Sequence, residues 1–273
     1  MLSINTNIGA TIAANQLNAL NTRSEKLSEQ ATTGKRINSA SDDAAGLAIA
    51  MGMHSTLTGN KTALQNISRA KDLLATQEGM YTQFNSIYDR LKALATSATD
   101  ETMSDADRAK SNTELQAQLL ELDRIAKSTE YNGIKLGDGS VASLNFQVGA
   151  NNTASDKIGY TLSDMQTASL NINGGSITSA ANAATFLDNL KLDMDTLATG
   201  MANNGAMVNR LGFASENLTT MNENLEKSLS TLTDADMAFV AAEQAKVNAQ
   251  QQLGLRALAT ANQQPLNYLS LFS

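Results

Sequence analysis

From Leu187 to Leu232 the apolar positions recur at strictly alternating steps of three and four residues: Leu187, Leu190, Met194, Leu197, Met201, Asn204, Val208, Leu211, Ser215, Leu218, Asn222, Leu225, Leu229 and Leu232. Only three of these fourteen positions are polar. Such spacing is the seam of a coiled coil. A strand, whose faces alternate every second residue, cannot use it. At about 1.5 Å per residue, a helix over 180–232 would span roughly 80 Å. A rod of that kind cannot bury its seam alone, so the rest of the chain must supply partners.

The partners are visible upstream. Ala70, Leu73, Gln77, Met80, Phe84, Ile87, Leu91 and Leu94 keep the same alternation inside a helix expected from about Asp42 to Ala98. A third helix, over about 105–129, places Leu115, Leu119, Leu122 and Ala126 on one face. The two ends of the chain are also helical in pattern, but thinner. Residues 10–31 carry Ala10, Ala13, Leu17, Leu20, Ser24, Leu27 and Ala31 at heptad steps, and 234–269 is rich in Ala and Gln. These two segments are expected to pair with each other. Between the helices, "YNG" and "GDG" mark turns. Leu144, Phe146 and Val148, and then Ile158, Tyr160 and Leu162, alternate with polar residues as the two strands of a hairpin would. The expected fold is mainly α: an elongated antiparallel helical coiled-coil bundle with a small β-hairpin region.

Composition agrees. The single proline, Pro265, leaves long helices unbroken. Aromatic residues make up 4% of the chain and Trp is absent, which suits side-by-side helices better than a thick core. The net charge of −7 argues against nucleic-acid partners, which need clustered Lys and Arg. Without cysteine there are no disulfides or thiolate sites. No apolar run is long enough for membrane insertion, and residues 1–17 lack the pattern of a cleaved secretory signal.

The adjacent acids Asp42 and Asp43 raise the question of an enzyme. An acid–base or metal site needs further ligands, and the chain holds one histidine, His54, further along the same helix. Helix capping accounts for the acids better. Ser/Thr-x-x-Asp recurs at three expected helix starts: Ser39 to Asp42, Ser104 to Asp107, and Thr233 to Asp236. There a hydroxyl and a carboxylate can satisfy the free N–H groups of the first turn. No catalytic, cofactor or metal residues are assigned.

Taken whole, "TTGKRINSASDDAAGLAIA" (residues 32–50) resembles the N-terminal signature of bacterial flagellins. So do "LSINTN" at 2–7, "ELDRIAKSTEYNGIKL" at 121–136, "FQVGAN" at 146–151, and the C-terminal stretch from Asp234, in which Pro265 falls in "ANQQP". The resemblance implies an inner terminal-helix domain from residues 1–40 plus 234–273. It implies a second domain, 41–233, of bundled helices with the hairpin at about 130–178, and no outer domains. Leu17, Leu20, Leu27, Val247, Leu255, Leu258, Leu266 and Leu269 would be the packing residues of the inner layer. The terminal segments bury too little to offset the entropy of ordering, so they are expected to order on polymerisation.

The implied role is that of a filament subunit. Its partners would be further copies of itself or paralogous flagellins, the flagellar type III export apparatus and a chaperone, and hook-associated and cap proteins. The implied location is secreted and extracellular, in the flagellar filament. A hook–filament junction protein of the same class and a cytosolic coiled-coil adaptor are the alternatives. The resemblance also implies an innate-receptor patch at Arg90, Leu94 and Glu114, but Asp89 and Ala93 stand where the family commonly has Gln and Glu. Weak recognition or none is expected.

Overall fold

The computed structural model describes residues 6–269, with side chains as far as Gln263. Five long helices dominate: α1 (Ile8–Thr33), α2 (Ala44–Ala98), α3 (Asp105–Ser128), α4 (Ala180–Thr233) and α5 (Met237–Leu269). Between α3 and α4 lie two antiparallel hairpins. One is the tight pair β1 (Glu130–Tyr131) and β2 (Ile134–Lys135), and the other joins β3 (Ser143–Gln147) to β4 (Lys157–Thr161). In the second, Leu144 opposes Tyr160 and Phe146 opposes Ile158, the pairing that the alternation requires. The YNG turn uses left-handed backbone at Asn132 (φ 50°) and Gly133 (φ 79°). Both residue types tolerate that conformation.

The chain separates into two compact units. One takes the chain up to Ser55 and from Asn224 onward, and the other is Thr56–Glu223. In the second unit α2 and α4 run antiparallel. Asn60 donates to Asn222 Oδ1 at 3.0 Å, and Asn204 donates to the Leu74 carbonyl at 3.0 Å. One apolar cluster lies beyond these polar rungs and one between them. Phe84, Tyr88, Leu91, the α3 face Leu115, Leu119 and Leu122, and Phe186 and Leu190 of α4 make the first. Ile67, Leu74, Leu211 and Leu218 join Leu136, Val148 and Tyr160 of the hairpin region in the second. A fully buried Leu contributes about 1.5–3 kcal/mol, and this unit has many.

Three buried polar arrangements position the elements. Gln77 donates to the Tyr81 hydroxyl and accepts from the Tyr160 hydroxyl, each at 2.8 Å, tying β4 to α2. Burial raises the Tyr160 hydroxyl well above its ordinary range, so it stays a neutral donor. Arg108 ends α2. Its buried guanidinium donates to the carbonyl of Ala98, the last residue of the helix, at 2.9 Å and to that of Asp100 in the following turn at 2.8 Å. Asp193, 1% exposed, takes the backbone N–H groups of Asn171 and Ile172 and the Asn171 amide, at 2.7–3.0 Å, and so holds the segment leading into α4.

The buried face of α4 runs one residue ahead of the expected seam at four steps. Phe186, Asp193, Gly200 and Met207 are buried, while Leu187, Met194 and Val208 are half-buried and Met201 is 38% exposed. A Cβ on Gly200 would stand 3.1 Å from the Tyr81 hydroxyl, so the tyrosine takes the space that the seam would have filled.

Replacing Asp193 with Ala strands the buried Ile172 N–H and two partly buried donors of Asn171. Urea unfolding of Asp193→Ala is expected to show a loss of about 2–4 kcal/mol relative to the parent protein.

Candidate assembly surfaces

The first unit is built on α1 and α5. They pair antiparallel, with Asn7 donating to the Ala261 carbonyl at 2.8 Å, Gln251 to Asn21 at 2.9 Å and Gln244 to Ser24 at 2.9 Å. Arg23 also pairs with Glu243. Leu17 lies against Gly254, where a Cβ would come within 3.3 Å of it. The apolar core between the two helices is small: Leu27, Val240 and Val247, with Leu20 and Ala235 against it.

The turns that lead into and out of this pair are stitched together. Gly34 closes α1 in the left-handed region (φ 69°), donating to the Gln30 carbonyl. Arg36 N donates to the Thr233 carbonyl at 2.7 Å and Ala235 N to the Gly34 carbonyl at 2.9 Å, so residues 34–36 and 233–235 form a short antiparallel bridge. The Arg36 guanidinium adds a bond to the Leu232 carbonyl at 2.8 Å.

The acids of the opening question divide the capping work. Asp42 precedes α2 and folds the chain before it, with Oδ2 accepting from the backbone of Asn38 and Ser39 at 3.1 Å each. Its Oδ1 meets Lys26 Nζ at 2.7 Å. Asp43 is the cap itself, accepting from Gly46 N at 2.8 Å. Helix α2 therefore starts at Ala44 rather than Asp42, because the Ser39–Asp42 pair makes a turn, in which Asp42 N donates to the Ser39 carbonyl, and not a helix. The Ser104–Asp107 box forms as expected. Ser104 Oγ accepts from Asp107 N at 3.2 Å and donates to its carboxylate at 2.8 Å. At the third start Asp236 alone caps, accepting from Ala238 and Phe239 N at 3.0 and 3.2 Å. Thr233 is the last residue of α4, and its hydroxyl bonds back to the Leu229 carbonyl at 2.8 Å.

Of the expected inner-layer residues, Leu17, Leu27 and Val247 are buried, and Leu20 and Leu258 are half-buried. Leu255 is 58% exposed, and Leu266 and Leu269 lie outside the described side chains. The same helix pair also exposes Ile8, Ile12, Phe239 and Leu253, each by more than half. In the second unit Arg90 Nε bonds Glu114 at 2.7 Å on the surface. Leu94, grouped with them by resemblance, is instead buried in the core because it is a seam residue of α2.

Among the described residues no three His, Asp or Glu side chains stand together as a metal site would need. No described helix is long and apolar enough to cross a membrane. What distinguishes the molecule is long helices with uncovered apolar side chains. Residues 4–142 match the bacterial flagellin N-terminal helical region, and residues 187–272 match the bacterial flagellin C-terminal helical region.

The chain belongs to the bacterial flagellin family.

Full-length relatives agree. A flagellin of Halalkalibacterium halodurans is 34% identical over 98% of both chains. One of Bacillus subtilis is 33% identical over 99% of both. The crystal structure of Bacillus cereus flagellin, 24% identical, superposes with a TM-score of 0.50 over 56% of this chain and 88% of that one, a likeness of helical fold. The chain is thus a structural subunit of the flagellar filament. Only residues 143–186 lie between the two matched regions, so it is a short flagellin without an outer domain.

Lys26 and the two backbone N–H groups hold the Asp42 carboxyl at about 2, below its ordinary 3.8. A depressed value means that this turn's support is complete above pH ~4 and is lost as pH falls toward 2. In a carboxyl-resolved NMR titration the Asp42 carboxyl is expected to titrate near pH 2. In Lys26→Met that midpoint should move up toward 4.

Proposed function

We propose that the α1/α5 pair is the inner packing layer of the filament, and that it becomes fully ordered only when other copies cover it. One observation carries this reading. Among its described residues the pair buries only Leu17, Leu27, Val240 and Val247, and leaves Ile8, Ile12, Phe239, Leu253 and Leu255 largely exposed. Helices this poor in buried apolar surface offset little of the ordering entropy, which runs about 1–2 kcal/mol per residue for the backbone. A second copy that covers those side chains supplies the difference. The contact is heterologous, one face against a different face, and therefore grows a helix instead of closing.

In this reading residues 1–40 with 234–273 form the inner domain, and 41–233 the bundle outside it. The hinge of that division is the bridge between residues 34–36 and 233–235. Leu255 is then an intersubunit residue, while Leu17, Leu27 and Val247 hold α1 to α5. The role is structural rather than enzymatic.

The same reading takes the subunit through the flagellar type III export apparatus with a chaperone, to an extracellular filament bounded by hook-associated and cap proteins. Chain ends that stay loosely ordered until assembly suit passage through a narrow channel. Receptor recognition at the Arg90–Glu114 patch should be weak, since the matching leucine, Leu94, is buried.

Deletion of residues 1–20 tests the proposal. The truncated protein is expected to keep the helicity of the second unit but to remain monomeric in sedimentation, where the full chain pellets as filaments. Normal filaments from the truncated chain would refute it.

A further inference from the structure

A groove in the second unit, of about 310 Å³, lies between α2 and the hairpins. Ala70, Leu73, Tyr131, Ile134 and Phe146 give it apolar walls, and Arg69 is its one charged lining residue. Among the described residues Arg69 makes no ion pair, and neither does exposed Asp72 one turn along. On α4 of the same unit Leu192 is 53% exposed. Lys191 and Asp195 beside it are exposed, and they too make no ion pair among the described residues. In a chain with only 17% charged residues, two uncommitted opposite pairs, each next to an apolar feature, make a complementary set.

We propose that Leu192 of one copy seats in the Ala70–Leu73–Phe146 groove of a neighbouring copy, with Asp195 against Arg69 and Lys191 against Asp72. The proposal rests on the assembly reading above and names one of its contacts.

Polarity supports the match. Within one chain Asn60 opposes Asn222 and Leu74 opposes Asn204, so α4 runs antiparallel to α2. In a neighbour pointing the same way, α4 again meets α2 antiparallel. In that direction, seating Leu192 over Ala70 and Leu73 brings Asp195 to Arg69 and Lys191 to Asp72 in register. Asp188, one turn earlier and exposed, leaves the leucine patch net negative toward a groove whose only lining charge is positive. The contact also fixes a stagger. Interpolated between the two internal pairs, Ala70 stands level with α4 roughly 17 residues beyond Leu192, so the neighbours are offset by about 25 Å along the helices. One copy presents a knob and the next a groove, so the contact propagates without closing.

The absence of cysteine gives a clean test. Asn145→Cys marks the groove rim, and Thr196→Cys marks the turn after Leu192. Filaments copolymerised from the two variants and treated with a short bismaleimide are expected to give a cross-linked dimer. Dilute mixed monomers and filaments of either variant alone should give little. Asp195→Arg should raise the critical concentration about 3- to 10-fold, and adding Arg69→Asp in the same chain should return it to within about twofold of the parent. Circular dichroism of each monomer should match the parent, since all four positions are exposed. Filaments that form normally, without cross-linking and with an unchanged critical concentration for Asp195→Arg, would overturn this contact and leave the assembly reading standing. A parent chain that forms no filaments would overturn both.

Discussion

Bulky apolar side chains are unevenly shared along this chain, and the rest of the structure follows from that imbalance. Between Ala63 and Leu218 the helices bury Phe84, Tyr81, Tyr88, Phe186 and most of their leucines within one unit. The end helices α1 and α5 offer Ala, Asn and Gln, with a few leucines and valines at the seam. Long helices gain most of their stability from a packed face and little from intrinsic propensity. The middle of the chain therefore builds its own core, though it leaves Leu120, Leu192 and Phe213 exposed, and the ends depend more on what else is nearby. For a polymer subunit this is a useful division, because association can be driven by the same burial that completes the fold.

The polar residues in the α2–α4 seam serve register more than stability. A leucine at Asn204 or Asn222 would fit the heptads as well, and leucine pairs slide past each other with little penalty. An asparagine whose amide must find the Leu74 carbonyl or a second asparagine has one good position. Buried polar groups of this kind fix register in coiled coils at some expense in stability. Here the register matters twice. It aligns the apolar clusters within the unit, and it sets the level of every exposed side chain on α4 relative to every groove on α2. The Gln77 bridge between Tyr81 and Tyr160 extends the same control to the hairpin.

Much of this was legible in the sequence because helical periodicity is a strong signal. The α3 face of Leu115, Leu119, Leu122 and Ala126 is buried as the spacing predicts, and the hairpin pairs Leu144 with Tyr160. What escaped was set by single tertiary contacts. The end of α2 at Ala98 falls where it was expected, but nothing near it in sequence shows that Arg108, ten residues on, will supply a donor to its last carbonyl. Asp193 reads as a surface acid beside a seam, and nothing local shows that Asn171 and Ile172 will arrive to meet it. Gly200 is buried in place of Met201, with Tyr81 of another helix against it. At two of the three capped helix starts the capping residues differ from the expected box, while α3 starts at Asp105 behind Ser104. Asp42 and Asp43 share a task that a four-residue box assigns to one of them, and Thr233 closes the preceding helix. Of the packing leucines, the sequence showed which side chains were apolar but not which would face the chain's own partner helix. Leu17 is buried against Gly254 of α5, while Leu255, one residue past that seam position, is left outside.

The connection between the end helices and the bundle helices is where a loosely packed pair most needs a firm base. Two chain crossings meet there, at residues 34–36 and 233–235, and backbone bonds join them directly. Backbone pairing depends on no particular side chain, so it holds even where the apolar supply is thin. Asp42 with Lys26, Asp43 with Gly46 and Asp236 with Phe239 then satisfy the groups at the adjoining helix starts. Helix α1 carries no charge before Arg23, and α5 carries only Glu243, Lys246 and Arg256, so much of the surface of both helices is uncharged. Those faces are what a neighbouring copy would have to cover. Few charges would then have to be stripped of water as it does so, which lowers the barrier to burying modest apolar side chains that could not drive folding alone.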